Sequence, residues 1–318
     1  MACSWRSTPS HSIYTNLNGN SNSTDCETKV IDPLLYRFLS SLNAKRVASP
    51  RGYQIYTLQP GAYTETLESL RESDTEVWGY VLGKLRHDLI NDKCLVLKML
   101  GTIHELAAEA IGDLIKSQLA TIVETTSNEG TQQLIGEIRA GCSRQVQLNG
   151  PKTFRQPDKQ FLVKGSYYPG IVIEFACSES FKELRQKAYD FIVRSGGRVQ
   201  LVIGLEAGSK KLFKISAWRP EFYRSENGDA MRMKAITDRD IIRYSDGTLK
   251  SGCFRFHLQD FGRDLAVHYP DAHLTTEIAL DYDVLAGYII DAEQCDVLSP
   301  PGPDIILRVQ AELLLAPR

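Results

Sequence analysis

Two acids and one lysine near the middle of the chain stand where charge is hard to keep. Asp158 follows Pro157 and opens the run DKQFLV, while Glu174 lies inside GIVIEFA, flanked from Ile171 to Ala176 by apolar residues. Taking an ionised carboxylate out of water is costly unless it is paired or bound to a cation. Strand alternation puts Glu174 on the face of Val172 and Ala176, so with both faces covered it needs a compensating partner. Lys187 offers one. It falls within the inward stripe Leu184, Ala188, Phe191, Ile192 and Ser195 of the next helical run, three residues after Leu184 and four before Phe191. These residue types suit a hard divalent cation, because Mg²⁺ takes carboxylate oxygens and keeps several waters. In phosphodiester hydrolysis such a cation neutralises developing charge and acidifies a water, and a lysine orients that water or stabilises the transition state. The same residues also suit a structural ion-pair network, and Lys187 alone suits a helix lysine whose stem snorkels to solvent.

An alternation of helices and strands would have to position these groups. Thr102 to about Val123 predicts a helix, with Ile103, Leu106, Ala107, Ala110, Leu114 and Ile122 on one face. TTSNEGTQQ reads as a loop, and LIGEIRAG, RQVQLNG, DKQFLV and GIVIEFAC as strands. A helix from Ser180 to Ser195 closes at Gly196-Gly197, and RVQLVIGLEA and KLFKISAWR give two further strands. Upstream, GYVLGKLRHDLI and KCLVLKML predict a hairpin turning at Asn91-Asp92. DPLLYRFLSSL, with Asp32 and Pro33 at its start, and TETLESLRES read as short helices. Beyond Pro220, FRFHLQDF and EIALDYDVLAGYIIDA suggest a strand and a closing helix. Residues 1–30, rich in Ser, Asn and Thr, bury too little apolar surface to offset chain entropy. The expected division is a disordered tail over 1–30, a helical and hairpin extension over 31–79, an α/β domain over 80–299 and a tail over 300–318.

The runs PDKQF, YPGIVIEFACSES and ELRQKAYDFIVRSGGRVQLVIGLE together resemble the PD-(D/E)XK nuclease superfamily, most closely its Uma-type branch and related fungal proteins. The HE pair at His104-Glu105 after LVLKML, and SAWRP after a later strand, also look like that group. The resemblance covers roughly residues 80–265. It implies a restriction-endonuclease-like core, a mixed central sheet flanked by helices in α-β-β-β-α-β order. It also implies Asp158 and Glu174 as carboxylates for Mg²⁺ (or Mn²⁺), with DNA as the first-choice nucleic-acid partner and a homodimer as an open option. Glu105, or less favoured Glu109, would be the first-helix acid. The motif departs at the lysine: the usual E-x-K would need Lys where Ala176 stands. In the Uma-type branch the lysine moves to the next helix, four residues before an aromatic, and Lys187 with Phe191 meets that spacing, with Phe in place of the more usual Tyr. A metal-dependent endonuclease is therefore the leading expectation. The alternatives are a non-catalytic descendant serving as a nucleic-acid or protein interaction module, and an unrelated α/β scaffold with a structural buried acid.

Other signals are bland. In the first helix, His104 reads as capping or packing, and an acid in a first turn is favoured by the helix dipole anyway. Cys177-Ser178 lacks an oriented His or Asp partner, and Trp218 reads as core rather than a base-stacking platform. Seven scattered cysteines with no CxxC pair argue against a disulfide framework or a zinc site. No run is long and apolar enough for a membrane span, and MACSWRSTPSHSIY lacks the apolar core of a secretory signal. An intracellular protein, cytoplasmic or nuclear, is expected. The net charge of −2 counts against tight non-specific DNA binding. Positive charge nevertheless gathers after mid-chain: from Gly208 to Gly252 ten basic residues face six acidic ones.

Overall fold

Apolar runs in the second half of the chain assemble into a mixed α/β fold. The computed structural model describes residues 52–297, apart from 84, 100, 101, 142, 151, 178, 209, 210 and 227. The expected tails over 1–30 and 300–318, and the helix in DPLLYRFLSSL, lie outside the described residues. The first half gives β1 (Gly52–Thr57), α1 (Ala62–Ser73), α2 (Thr75–Gly83), β2 (Arg86–Ile90), β3 (Cys94–Met99), α3 (Thr102–Thr125) and α4 (Glu129–Glu137). Next come β4 (Ile138–Gly141), β5 (Val146–Leu148), β6 (Thr153–Arg155), β7 (Lys159–Val163), β8 (Ile171–Ala176) and α5 (Phe181–Val193). The remainder is β9 (Leu201–Ala207), β10 (Phe213–Ser225), β11 (Gly228–Arg243), β12 (Cys253–His257), α6 (Leu265–His268), β13 (Glu277–Asp281) and α7 (Tyr282–Val297).

The main sheet has the order β11-β10-β9-β8-β7-β4. β4 with β7 and β7 with β8 run antiparallel, whereas β8 and β9 run parallel, joined by the crossover helix α5. Strands covered on both faces can be apolar throughout, which is why IVIEFA and LVIGL carry so little polar character. One face packs Phe161, Ile173 and Phe175 against Ala107 and Ile111 of α3 and Leu285 of α7. The other packs Val172, Val202 and Trp218 against Leu184, Ala188 and Phe191 of α5. A capping box between Ser180 and Glu183 starts α5. Gly196 and Gly197, both at φ 68°, end it in the left-handed region that favours glycine.

A second sheet, β1-β3-β2-β6-β5, lies beside α5. Its β2–β3 hairpin turns through Asn91 and Asp92 at φ 53° and 56°, as the pair predicts. The expected hairpin is shorter than its sequence run, because GYVLG belongs to the helix α2; periodicity cannot separate helix from strand in so short an apolar run. Strand β1 pairs with β3, so this sheet joins both sides of the boundary expected at 79/80. TTSNEGTQQ is not all loop: Asn128 caps α4 by accepting from the Thr131 N–H, and LIGE continues that helix. RQVQLNG contributes β5 to the second sheet, and EIALD forms β13, paired with β12, before the closing helix begins. No described helix is long and apolar enough to cross a membrane.

Candidate functional site

Register brings the two acids together. Lys159 pairs with Ile173 in the antiparallel β7–β8 ladder. Asp158 immediately precedes Lys159 and Glu174 immediately follows Ile173, so the two acids lie side by side at the end of that ladder. Asp158 Oδ2 accepts the Phe175 N–H at 2.7 Å, which ties its carboxylate to β8. From α5, Lys187 Nζ donates to Glu174 Oε2 at 3.0 Å and to Glu179 Oε2 at 2.8 Å. Asp158, Glu174 and Lys187 are 3, 0 and 5% exposed, so Lys187 does not snorkel to solvent. Two more side chains face Asp158: His104 Nε2 stands 2.9 Å from Oδ2 and Arg86 Nη1 stands 3.6 Å from Oδ1.

The second sheet supplies the wall of this site. Asp88 Oδ1 lies 3.1 Å from Lys98 Nζ and accepts the Gln156 N–H at 2.9 Å; Lys98 also donates to the Gln156 carbonyl at 2.6 Å. Arg155 bridges Asp88 Oδ2 at 2.7 Å and Asp190 Oδ2 at 2.5 Å, joining β2, β6 and α5. Sequence reasoning missed Arg86, Asp88, Lys98, Arg155 and Glu179. Their partners lie as far as 72 residues apart in the chain, as with Arg86 and Asp158, where no local pattern points to them. The signal that could have found Lys98 is a charge inside LVLKML, the same oddity that marks Glu174.

Opposed environments split the two carboxylates. Burial pushes the Glu174 carboxyl up to about 7; Lys187 opposes the rise, and the negative charges of Asp158 and Asp88 add to it. Burial also works against an ionised Asp158, but His104, Lys98 and Lys187 outweigh it and hold that carboxyl below the usual range. Asp88 is likewise depressed: burial raises it, and Lys98, Arg155 and Lys187 overcome the rise. Two nearby acids pushed in opposite directions are a recurring feature of acid–base and metal sites.

The donor chemistry fits a hard cation. Asp158 Oδ1 and Glu174 Oε1 are both buried without a hydrogen-bond partner, an arrangement that is costly unless something else satisfies them. Among the described residues no group of three or more His, Cys, Asp or Glu has the geometry of a metal cage. Mg²⁺ commonly uses one or two carboxylates and completes its shell with water, so a two-carboxylate set suffices for it and would not suffice for a structural zinc.

The remaining candidates separate cleanly. Helix α3 turns buried His104, not Glu105, toward Asp158; Glu105 is exposed, so the structure does not bring this first-helix acid to the site. Glu109 is engaged elsewhere, accepting from Lys159 Nζ at 2.5 Å. Cys177 is exposed, and Trp218, 1% exposed, is packed in the core beside Phe181. No family model and no curated protein matches the sequence.

Proposed function

We propose that the chain is a PD-(D/E)XK-type phosphodiester hydrolase that cuts nucleic acid, DNA in the first instance, with Mg²⁺ or Mn²⁺. The reading rests above all on the neighbouring carboxylates of Asp158 and Glu174, each buried with one oxygen lacking a hydrogen bond and with Lys187 beside them. Further support comes from the order of elements between α3 and β9, with two antiparallel strand pairings followed by a parallel one, which agrees with a restriction-endonuclease-like core. Asp158 Oδ1 and Glu174 Oε1 would hold the cation, which when bound offsets phosphoryl charge and acidifies a water. Lys187, anchored by Glu174 and Glu179, would orient that water or stabilise the developing charge.

The test is nicking of supercoiled plasmid. Wild type is expected to nick with Mg²⁺ or Mn²⁺ and to stop in EDTA, and Asp158→Ala and Glu174→Ala to slow the reaction at least about 100-fold, equivalent to about 2.7 kcal/mol. Nicking that survives both substitutions removes these residues from the mechanism. One observation favours a second reading. The near-complete burial of all three groups, with Lys187 held by two carboxylates, suits a nuclease fold that no longer cuts and serves as an interaction module. A wild type that never nicks selects it.

A readout independent of activity comes from thermal unfolding. Mn²⁺ at ten times its Kd should stabilise wild type by about 1.4 kcal/mol, roughly 4 °C in a domain of this size. Asp158→Ala should abolish the increment. An equal increment in wild type and variant would place the ion elsewhere.

A further inference from the structure

At the far end of β7 from Asp158 lies an open groove of about 830 Å³. Five residues of strand at about 3.4 Å each put it roughly 17 Å away from the carboxylates. Its basic lining residues Lys164, Arg198 and Arg263 are exposed, and Asp264 is the single acid among the groove residues. Among the described residues no carboxylate lies within ion-pair distance of these three cations, whereas Arg155, Arg219, Arg232, Arg239 and Arg243 each meet one elsewhere. Aromatic rings line the same groove. Tyr167 is 66% exposed and meets Tyr168 edge-on, with centroids 4.9 Å apart. Arg263 extends the surface onto β10, with its guanidinium 4.6 Å from the centroid of the half-exposed Phe222.

We propose that this groove is a docking track for single-stranded nucleic acid. Cations without a carboxylate partner along an open groove suit a phosphate backbone, and exposed rings in the same groove offer faces on which unpaired bases stack. A duplex keeps its bases stacked on one another and gives Tyr167 no base face to meet, so the aromatic component selects single strands. The inference deepens the nuclease reading, since it names the strand that would be held beside the cutting site, but binding in the groove needs neither the metal nor Asp158 and Glu174.

The experiment uses the full chain and a labelled 16-nucleotide oligo-dT, read by fluorescence anisotropy in EDTA so that no cutting intervenes. Wild type is expected to bind with a log K against log salt slope near about −2, from three phosphate contacts on a single strand. Arg198→Glu with Arg263→Glu should weaken binding at least about tenfold and flatten that slope. Tyr167→Ala should weaken it about fivefold or more without changing the slope. All of these side chains are exposed, and an unchanged melting temperature shows that the variants fold. A matched duplex should bind more weakly than the single strand. The proposal is overturned by variants that bind as well as wild type, by duplex held more tightly than single strand, or by a wild type that binds anionic vesicles and no oligonucleotide. Oligonucleotide binding without any nicking sinks the catalytic reading alone, whereas nicking with oligonucleotide affinity indifferent to the groove substitutions sinks the track alone.

Discussion

Arg155→Met is expected to lower the melting temperature by roughly 10 °C, through a loss of about 3–5 kcal/mol. Arg155 is 5% exposed and its guanidinium spans Asp88 and Asp190, both buried. Burial alone would drive the guanidinium toward its neutral form, and the two carboxylates outweigh that and raise its affinity for its proton. A methionine fills similar space and leaves two acids short of a partner. Each retains some compensation, Asp88 from Lys98 and Asp190 from Arg194, which keeps the loss finite. Arg155→Lys should fall between, since a single ammonium cannot reproduce the fork that reaches both acids. Adding Asp190→Asn to Arg155→Met should recover part of the loss, because a neutral amide needs no counter-charge and the part-exposed Arg194 that also pairs with Asp190 can turn to water. Chemical and thermal unfolding measure all four proteins. A fall of less than about 2 °C for Arg155→Met would show that the bridge contributes nothing net.

What could be read in advance follows a physical rule. Glu174 and Lys187 are legible because each breaks a local pattern, an acid in an oily strand and a lysine in an inward helical stripe. Their contact in space needs only the helix α5 to return beside β8, which the capping box at Ser180 and the two glycines after Arg194 already announce. The wall formed by Asp88, Lys98 and Arg155 has no such signature, since it exists only where β2, β3 and β6 pair across long stretches of chain. His104 shows the limit of a motif: the HE pair is visible, but a helix turns about 100° per residue, and its phase decides that His104 and not Glu105 faces Asp158. Strand β11 escapes notice because GDAMRMKAITDRDIIR is exposed or half-exposed over most of its length, and the ladder with β10, not alternation, makes it a strand.

The two sheets therefore meet at one charged seam. Glu174 and Lys187 belong to the main sheet and its crossover helix, Asp88 and Lys98 to the second sheet, and Asp158 lies two residues after Gln156, which bonds to both Asp88 and Lys98. Packing the second sheet against α5 without charge pairing would strand at least three buried acids, so the seam selects one docking of the sheets over others. A cation site placed there inherits rigid walls, and rigidity of the supporting groups is what holds ligands in position.

Glu174→Gln is expected to stabilise the fold at pH 8 and to do so far less at pH 5. The Glu174 carboxyl is pushed from an ordinary 4.5 up to about 7, burial being the main cause and Asp158 and Asp88 adding to it. Between those two values the folded chain keeps a proton that the unfolded chain releases, so wild-type stability falls as pH rises through this window and levels off above it. At about 1.36 kcal/mol per unit, the cost is a few kcal/mol at pH 8 and less than about 1 kcal/mol at pH 5. Glutamine carries no such charge and still offers an oxygen to Lys187, so its stability should lack this slope. The variant should melt several degrees above wild type at pH 8 and within about 2–3 °C of it at pH 5. A variant less stable than wild type at pH 8 would show that the Lys187 pair outweighs desolvation, and the acid would then be a structural ion-pair partner. If the stabilised variant also fails to nick plasmid, the strain of an ionised Glu174 is retained for the cation it would hold, in line with the common trade of stability for function at working sites.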